Sequence, residues 1–583
     1  MKKRIIAAWM TMVMSVGTVG LTGCGKADSY SMATSDNAST TASVSETAEA
    51  PTNVDASYSS ESYSDESGED YYDGYWNGYE DSATASYSNS VRGVYDAAMD
   101  TIEYEGGWWE PSGDEWDREE YSHYEENAWM SVNAAPFSTF GVDVDTASYA
   151  NIRRMLLDRD QIPADAVRIE EMINYFSYDY PEPKSDQPFS VTTEIAPCPW
   201  NDDTELLLVG LKARKMDMRE RVDSNLVFLI DVSGSMSDND KLPLIQRSFR
   251  LLCEELGPND RVSLVTYASE DKVVLEGVSG KRKSRINDAM EDLYASGGTN
   301  GSAGLLTAYE LAEDYFIEGG NNRVILATDG DLNIGLTDED SLKKLIEEKA
   351  KSGVYLSVLG FGTGNISDTN MEALADHGNG NYSYIDSIAE AKKVLIEEMG
   401  GTLFPVAKDV KLQVEFNPAY IKGYRLIGYE NRTMAARDFA DDTKDGGEIG
   451  AGHTVTALYE IAKVDSRQDI PEITSRYTRS EKKGLDWLSD KEYLTVNIRY
   501  KEPDGDTSKE IVCPVDSSSE SRRMSENLSW AAGVAQIGMI LKNSEYAGDT
   551  QLENVLKRME RLKSVEEDDY REEFIYLFSR YMR

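Results

Sequence analysis

Five oxygen-bearing side chains follow apolar runs in this sequence and could together bind a metal ion. Asp231, Ser233 and Ser235 occur in Asp-Val-Ser-Gly-Ser, directly after a run of five apolar residues. Thr299 lies in Ser-Gly-Gly-Thr-Asn, and Asp329 lies in Ala-Thr-Asp-Gly at the end of another apolar run. All five offer oxygen, without imidazole or thiolate, and such a donor set favours a hard cation. Mg²⁺ is therefore the first candidate, and Mn²⁺ is the second.

The charges of this set indicate what the bound ion could do. Asp231 and Asp329 formally neutralise a divalent cation, while the neutral hydroxyl donors leave it with affinity for a further anionic ligand. An open coordination position could then take an Asp or Glu carboxylate from a partner. The expected partner is an extracellular protein or peptide that offers such a carboxylate.

The elements that position these residues belong to a parallel α/β pattern between about residues 225 and 400. Short apolar runs alternate there with longer segments of helical period. The predicted strands span residues 226–230, 262–267, 324–328, 355–361 and 382–385. The helices predicted most clearly span residues 305–316, 342–351 and 389–399. We therefore expect a doubly wound, mostly parallel sheet, with the site at the carboxyl ends of its strands, where ligands bind in such folds.

These fragments resemble the metal-ion-dependent adhesion site of the von Willebrand factor type A domain. In that family an Asp-x-Ser-x-Ser loop, a Thr from a second loop and an Asp from a third surround the metal. The matching positions here are Asp231, Ser233, Ser235, Thr299 and Asp329. The resemblance implies that the hydroxyls coordinate directly or through water and that the aspartates act largely through water.

A wider resemblance extends into the segments on both sides of this domain. Residues 137–149, 198–200 and 426–432 look like parts of bacterial lipoproteins that carry a type A domain between characteristic flanking regions. This resemblance implies the Rossmann-like fold and the metal, and it names no substrate.

Composition excludes several function classes. The chain has 59 Lys and Arg against 105 Asp and Glu among 583 residues, and its net charge of −46 would repel a phosphate backbone. We therefore expect no nucleic-acid partner. Three histidines, and the absence of Gly-x-Ser-x-Gly, His-Glu-x-x-His and phosphate-loop motifs, argue against hydrolases. The chain is predicted not to be an enzyme.

The first 24 residues have the pattern of an export signal. A cationic start at Lys2, Lys3 and Arg4 precedes an apolar run that is short for a transmembrane span. The segment ends in Leu-Thr-Gly-Cys24, which resembles the lipobox of bacterial lipoproteins. The resemblance implies that Cys24 carries the lipid, palmitate included, and that the protein is exported and anchored to the outer face of the cell membrane.

An acidic, Ser- and Tyr-rich stretch follows the signal. Residues 25–130 hold 25 acidic side chains against three basic ones and few aliphatic residues. Such a segment cannot bury enough apolar surface to offset its chain entropy, so we expect a disordered tether.

Strand-like runs of alternating polarity lie on both sides of the α/β region, and helical patterns lie beyond them. We therefore expect the α/β domain to be inserted in a β-sandwich, with helical N-terminal and C-terminal segments. The predicted organisation is a lipoprotein signal peptide (1–24), the tether (25–135), a helical segment (136–186), the first part of the sandwich (187–222), the type A domain (223–402), the second part of the sandwich (403–518) and C-terminal helices (519–583).

The leading interpretation is a surface-anchored lipoprotein that binds a protein or peptide through Mg²⁺ in adhesion or assembly. The alternative is a structural component of envelope assembly, in which the metal only rigidifies loops. Two further points stay open from sequence: whether Cys198 and Cys513 pair, and whether the acidic loop 438–448 binds a second cation.

Overall fold

The computed structural model describes residues 119–582. Its gaps are residues 143–144, 185–186, 216–220, 299–300, 331–338, 365, 399–403, 445, 472–490, 504 and 506. Cys24 and Thr299 lie outside the described residues, as do the signal and most of the expected tether.

The described strands and helices are each numbered in chain order. The strands are β1 (Met130–Ser131), β2 (Phe137–Gly141), β3 (Phe189–Pro197), β4 (Glu205–Ala213), β5 (Ser224–Asp231), β6 (Arg261–Tyr267), β7 (Asp271–Ser279), β8 (Asn321–Thr328), β9 (Val354–Phe361), β10 (Tyr382–Ile385), β11 (Pro405–Phe416), β12 (Ile421–Ile427), β13 (Thr433–Met434), β14 (Ile449–Gly450), β15 (Thr454–Lys463), β16 (Glu492–Lys501) and β17 (Ser508–Asp516). The helices are α1 (Ala147–Asp158), α2 (Ile169–Asn174), α3 (Leu242–Glu255), α4 (Lys283–Glu291), α5 (Gly301–Asp314), α6 (Glu339–Lys351), α7 (Asp368–His377), α8 (Ile388–Lys392), α9 (Glu526–Leu541), α10 (Leu552–Met559), α11 (Lys563–Glu566) and α12 (Asp569–Tyr581).

An α/β domain forms around a six-stranded sheet with the order β10-β9-β8-β5-β6-β7. Neighbouring strands are parallel except β7, which pairs antiparallel with β6 at the edge. The predicted mostly parallel α/β fold is confirmed, although β7 was not predicted. From β5 the chain first moves outward to β6 and β7, and it then returns to β8 on the other side of β5. The winding direction therefore reverses between β5 and β8.

Both faces of this sheet are covered, which explains the nearly continuous apolar runs of its strands. All eight residues of β5 and of β8 are buried. One face packs against α3, α4 and the chain from α8 onward, and the other packs against α5, α6 and α7. These two apolar layers hold the strand ends, and with them the loops of the site, in a rigid frame.

Two antiparallel sheets lie outside the α/β domain in sequence. One has the order β1-β12-β15-β4-β3, and the other has the order β13-β2-β11-β16-β17, with β14 also paired to β11. Their inner faces share one apolar cluster, to which Phe140, Leu207, Val414 and Tyr459 all contribute. We call this pair of sheets the sandwich. Because β2, β3 and β4 precede the α/β domain while β11 to β17 follow it, strands from both sides of that domain are hydrogen-bonded together.

The helices nearest the two ends of the described chain share a second core. Helices α1 and α2 pack with α9, α10 and α12 around Tyr149, Phe176, Trp530 and Phe574, and this layer covers the outer face of β4 and β15. We call it the helical layer. Its aromatic rings meet mostly edge-to-face or tilted, for example Phe176 and Trp530 at 4.9 Å between centroids.

The structure corrects one local expectation. The tether was expected to extend to residue 135, but the chain already contacts the folded modules from Glu119, and β1 pairs with β12. The described strand before α1 is β2, and its pairing with β11 runs from Phe137 to Gly141. The thiols of Cys198, Cys253 and Cys513 are free.

Candidate metal centre

The loop after β5 brings three of the predicted ligands together. Asp231 is the last residue of β5, and its Oδ1 accepts a hydrogen bond of 2.8 Å from the backbone N–H of Ser233. A short 3-10 turn follows at Gly234–Ser237, and it places the Ser233 and Ser235 hydroxyl oxygens 3.0 Å apart. Met236 is fully buried beneath the turn and anchors it. Asp231 and Ser233 are buried, whereas Ser235 is exposed. The loop therefore holds the Asp231 carboxylate in the protein interior and presents the Ser235 hydroxyl to solvent.

Asp231 is an unusual buried carboxylate. Its side chain is completely buried, and within the described residues Oδ2 has no hydrogen-bond partner. Burial raises the pKa of Asp231 to about 6, and the nearby charge of Asp329 acts in the same direction, against hydrogen bonds from Ser233 and Tyr267. Buried polar atoms are normally paired, so Oδ2 of Asp231 has the capacity to accept a further ligand.

A second loop is hydrogen-bonded to the first. The backbone N–H of Ser296 donates to the Val232 carbonyl at 2.7 Å, and that of Gly234 donates to the Gly297 carbonyl at 3.0 Å. Gly297 has a φ of 87°, a conformation that favours glycine. Thr299, the predicted ligand of this loop, lies outside the described residues, but the chain leading to it lies against the Asp231 loop.

Asp329 comes from the neighbouring strand. It directly follows β8, and β5 pairs with β8 in a register that sets Ile230 beside Ala327. Asp329 is completely buried, and its Oδ2 is 3.0 Å from the Nζ of Lys241, which is also buried. The two aspartates thus flank the point at which the sheet reverses its winding. We call Asp231, Ser233, Ser235 and Asp329 the carboxyl-edge site.

This donor set fits a hard divalent cation. Two carboxylates and two hydroxyls offer only oxygen, and the unpartnered Oδ2 of Asp231 supplies an acceptor that the protein itself does not satisfy. Over the described ranges, no group of three or more His, Cys, Asp or Glu side chains is arranged to hold a metal ion. The carboxyl-edge site has two carboxylates, so its fit rests on the hydroxyls beside them.

Lys241 is the residue of this site that sequence reasoning missed. It lies ten residues after Asp231, immediately before α3, where a lysine in a sequence is usually solvated. The motif spacing alone does not indicate that its ammonium reaches Asp329. That contact depends on the packing of the α3 start against the ends of β8 and β9.

Comparison with known families agrees with the fold. The family described as von Willebrand factor type A domain matches residues 225–397, and one described as von Willebrand factor matches residues 115–208. The C-terminal family of protein YfbK matches residues 401–583.

Relatives among known proteins identify the family. Protein YfbK of Escherichia coli (strain K12) is 42% identical over 472 residues, which cover 78% of this chain and 80% of the relative. The chain belongs to the YfbK family. Protein sll0103 of Synechocystis is also similar, with 31% identity over 186 residues, which cover 32% of this chain and 43% of that protein.

One solved structure similar to this YfbK-family chain is the von Willebrand factor type A protein from Catenulispora acidiphila. It has a TM-score of 0.39 and 15% identity, and the match covers 68% of this chain and 90% of that one. In the part of the chain that the structure describes, none of the helices has the length and apolar character needed to cross a membrane.

Proposed function

We propose that this protein is a surface-anchored lipoprotein that binds a protein or peptide in a divalent-metal-dependent manner. The type A domain, shared with adhesion and protein-interaction proteins, supports a binding role. The observation that carries the proposal is the orphaned, buried Oδ2 of Asp231 beside the hydroxyls of Ser233 and Ser235, at the edge where the sheet reverses its winding.

In this proposal each residue has a defined part. Asp231 and Asp329 supply the negative charge, and Ser233, Ser235 and Thr299 supply neutral oxygens, an arrangement suited to Mg²⁺ or Mn²⁺. A bound ion would offer an open coordination position to a partner's Asp or Glu carboxylate. The exposure of Ser235 and the burial of Asp231 mean that a partner approaches from the Ser235 side.

The same geometry favours binding over catalysis. Ser233 has the Ser235 hydroxyl and the Asp231 carboxylate as close polar neighbours, and no imidazole contacts it in the described structure. The imidazole of His123 contacts Asp165 and that of His377 contacts Glu347, in positions unrelated to Ser233. We therefore propose that the protein has no enzymatic activity.

Calorimetry with Mg²⁺ tests the site directly. Asp231→Ala should lose most of the Mg²⁺ affinity while the strand keeps its fold, since the change removes one of two charges that attract the cation. Asp240→Ala is the matched control, because it removes a carboxylate from the same loop outside the motif. Equal Mg²⁺ affinity in the wild type and Asp231→Ala would refute the assignment.

The anchored location rests on the sequence up to Cys24. Cys24→Ser should release the protein from the membrane fraction, because a lipid attached to that thiol would be lost. A Cys253→Ser variant, which changes a buried thiol in α3, should stay in the membrane fraction. Firm membrane retention of Cys24→Ser would contradict the anchor.

A structural role in envelope assembly is the second candidate, and one observation favours it. Buried ion pairs join the helical layer to the α/β domain, with Arg153 on Asp386 and Arg168 on Asp368. The two modules are therefore held together without a metal. Crosslinking on intact cells, with and without a chelator, separates the candidates: capture lost with the chelator and in Asp231→Ala supports the binding role. Capture that persists in both supports the structural role.

A further inference from the structure

Lys241 contributes a charge to the carboxyl-edge site that the adhesion motif does not contain. We propose that Lys241 is a positioning residue whose ammonium holds Asp329 and gives the metal-loaded site an excess positive charge, so that it favours an anionic ligand. This inference rests on the proposed function and adds the residue that tunes it.

The geometry holds the ammonium in place. Nζ of Lys241 is 3.0 Å from Oδ2 of Asp329, and the two side chains are 6% and 0% exposed. The stem of Lys241 lies along the backbone of Gly362, just after β9, where a Cβ would come within 2.3 Å of Cγ. Gly362 also has a φ of 76°, so two independent features reserve this position for glycine. The lysine is therefore packed along its length, unlike a surface lysine that samples many rotamers.

The backbone around Lys241 adds to this order. Its N–H donates to the Asp238 carbonyl at 3.1 Å, and its carbonyl accepts from Ile245 in the first turn of α3. The start of α3 therefore fixes the Cα of Lys241 while Gly362 fixes the stem. Together they aim the ammonium at the end of β8.

The charge of the site follows from these contacts. Asp231 and Asp329 bring two negative charges and Lys241 brings one positive charge, so the protein side keeps one negative charge in excess. A divalent cation reverses this to one positive charge in excess, and a partner carboxylate would then neutralise the site. Without Lys241 the loaded site would already be neutral. Its attraction for a carboxylate would be weaker, and its attraction for the metal stronger, because an ammonium repels a cation nearby.

This pair of opposite effects distinguishes a charge role from a merely structural one. A salt bridge that only supported the fold would, when removed, lower stability and leave the affinities unchanged, or weaken metal and ligand together. The proposal requires that removal of the lysine tighten metal binding and weaken carboxylate binding.

The test uses the full chain, Mn²⁺ and acetate as the carboxylate probe. Electron paramagnetic resonance gives the Mn²⁺ affinity, and water-proton relaxation gives the acetate affinity of the loaded site. We expect Lys241→Met to bind Mn²⁺ about tenfold more tightly and acetate about tenfold more weakly. Lys241→Arg keeps the charge and should stay within about threefold of the wild type in both. Lys349→Met, which removes a lysine paired with Glu313 at the surface, is the control.

Three outcomes overturn the inference: unchanged affinities in Lys241→Met, a loss of both affinities, or Lys241→Arg behaving as Lys241→Met. If Lys241→Met does not fold, Lys241→Gln replaces it, and equal Mn²⁺ affinities in Lys241→Gln and Lys241→Arg overturn the inference. A wild type that binds no Mn²⁺ would instead refute the proposed function. A wild type that binds Mn²⁺ and acetate, with Lys241→Met indistinguishable from it, would refute this inference alone.

Discussion

Two regions of the molecule contain buried carboxylates, and the carboxylates differ in the partners that they contact. Between the helical layer and the α/β domain, the guanidinium of Arg168 contacts Glu171, Asp368 and Glu372. We call these four residues the arginine cluster. At the carboxyl-edge site, Asp231 has no basic partner among the described residues, and the groups that hydrogen-bond to it, from Ser233 and Tyr267, are neutral. Burial is similar in both regions, so the difference lies in pairing.

The difference separates two roles that a buried carboxylate can have. A carboxylate that is paired with a buried arginine has its charge satisfied by the fold, and its removal or exposure affects stability. A buried carboxylate without such a partner destabilises the protein by itself and is satisfied only when something else binds. The arginine cluster thus belongs to the architecture, whereas the carboxyl-edge site is where we propose that a ligand binds.

Breaking the arginine cluster should give the largest effect. Arg168→Met leaves the buried carboxylates of Glu171 and Asp368 without their cation, while Glu372 keeps a 3.7 Å contact from Arg432. We expect the free energy of unfolding to fall by about 3 to 5 kcal/mol. Urea unfolding measures this. Arg437→Met, which removes an arginine that is 89% exposed beside Asp438, should change it by less than about 1 kcal/mol. A small effect of Arg168→Met would mean that the two regions are not energetically distinct.

Asp231→Asn should stabilise the protein without metal, whereas Arg168→Met should destabilise it. The amide keeps an acceptor for the Ser233 N–H but removes the unpaired charge, so without metal the free energy of unfolding at pH 7 should rise by about 1 to 3 kcal/mol. Mg²⁺ at 100 times its dissociation constant should add about 2.7 kcal/mol to the wild type and close to nothing to Asp231→Asn. Thermal unfolding with and without Mg²⁺ measures both changes. Equal stabilisation of the wild type and Asp231→Asn by Mg²⁺ would show that Asp231 does not set the metal affinity.

The half-buried His453 extends the comparison to the pH dependence of stability. His453 is half-buried, and its buried Nε2 has no hydrogen-bond partner in the described structure. Desolvation lowers its pKa, with Lys393 and Lys212 adding to the effect and Glu398 opposing it. The unfolded chain therefore binds the proton more tightly than the folded one. Stability from neutral His453 is complete above about pH 6.5 and falls as the pH drops below that value, by at most about 1.4 kcal/mol per pH unit.

Unfolding measured between pH 7 and pH 5 checks this sign. His453→Gln should show a shallower loss of stability than the wild type over that interval. His123→Gln, whose side chain is 72% exposed, should keep the wild-type slope. Identical slopes in all three proteins would show that His453 does not contribute.

Ser235→Ala should give the smallest change in stability. The hydroxyl is exposed, so we expect the free energy of unfolding to move by no more than about 0.5 kcal/mol. The Mg²⁺ affinity should nevertheless fall, because a neutral oxygen donor is lost from the site. Calorimetry compares this variant with Ser237→Ala, an exposed serine in the same turn. Equal affinities in the two variants would exclude Ser235 as a ligand.

Local pattern was sufficient for the α/β domain and for placing Asp231 and Asp329 at the ends of its strands. The apolar run of β5 is buried on both sides, so it has to be a central parallel strand, and a motif at its carboxyl end has to face the edge of the sheet. The same reasoning placed Asp329 at the end of β8. It failed for β7, because an exposed edge strand with mixed polarity resembles a loop in sequence.

By itself, the sequence determined the composition, the strand periodicity, the spacing of Asp231, Ser233 and Ser235, and the expectation of a hard-cation site. Only the tertiary structure decided that α1 and α2 share a core with α9 and α12, and that Lys241 reaches Asp329, 88 positions along the chain. The physical reason is that periodicity reports which face of an element is buried, while the identity of the opposing surface depends on how distant segments pack. A charge whose partner comes from another element is therefore visible only in the folded protein.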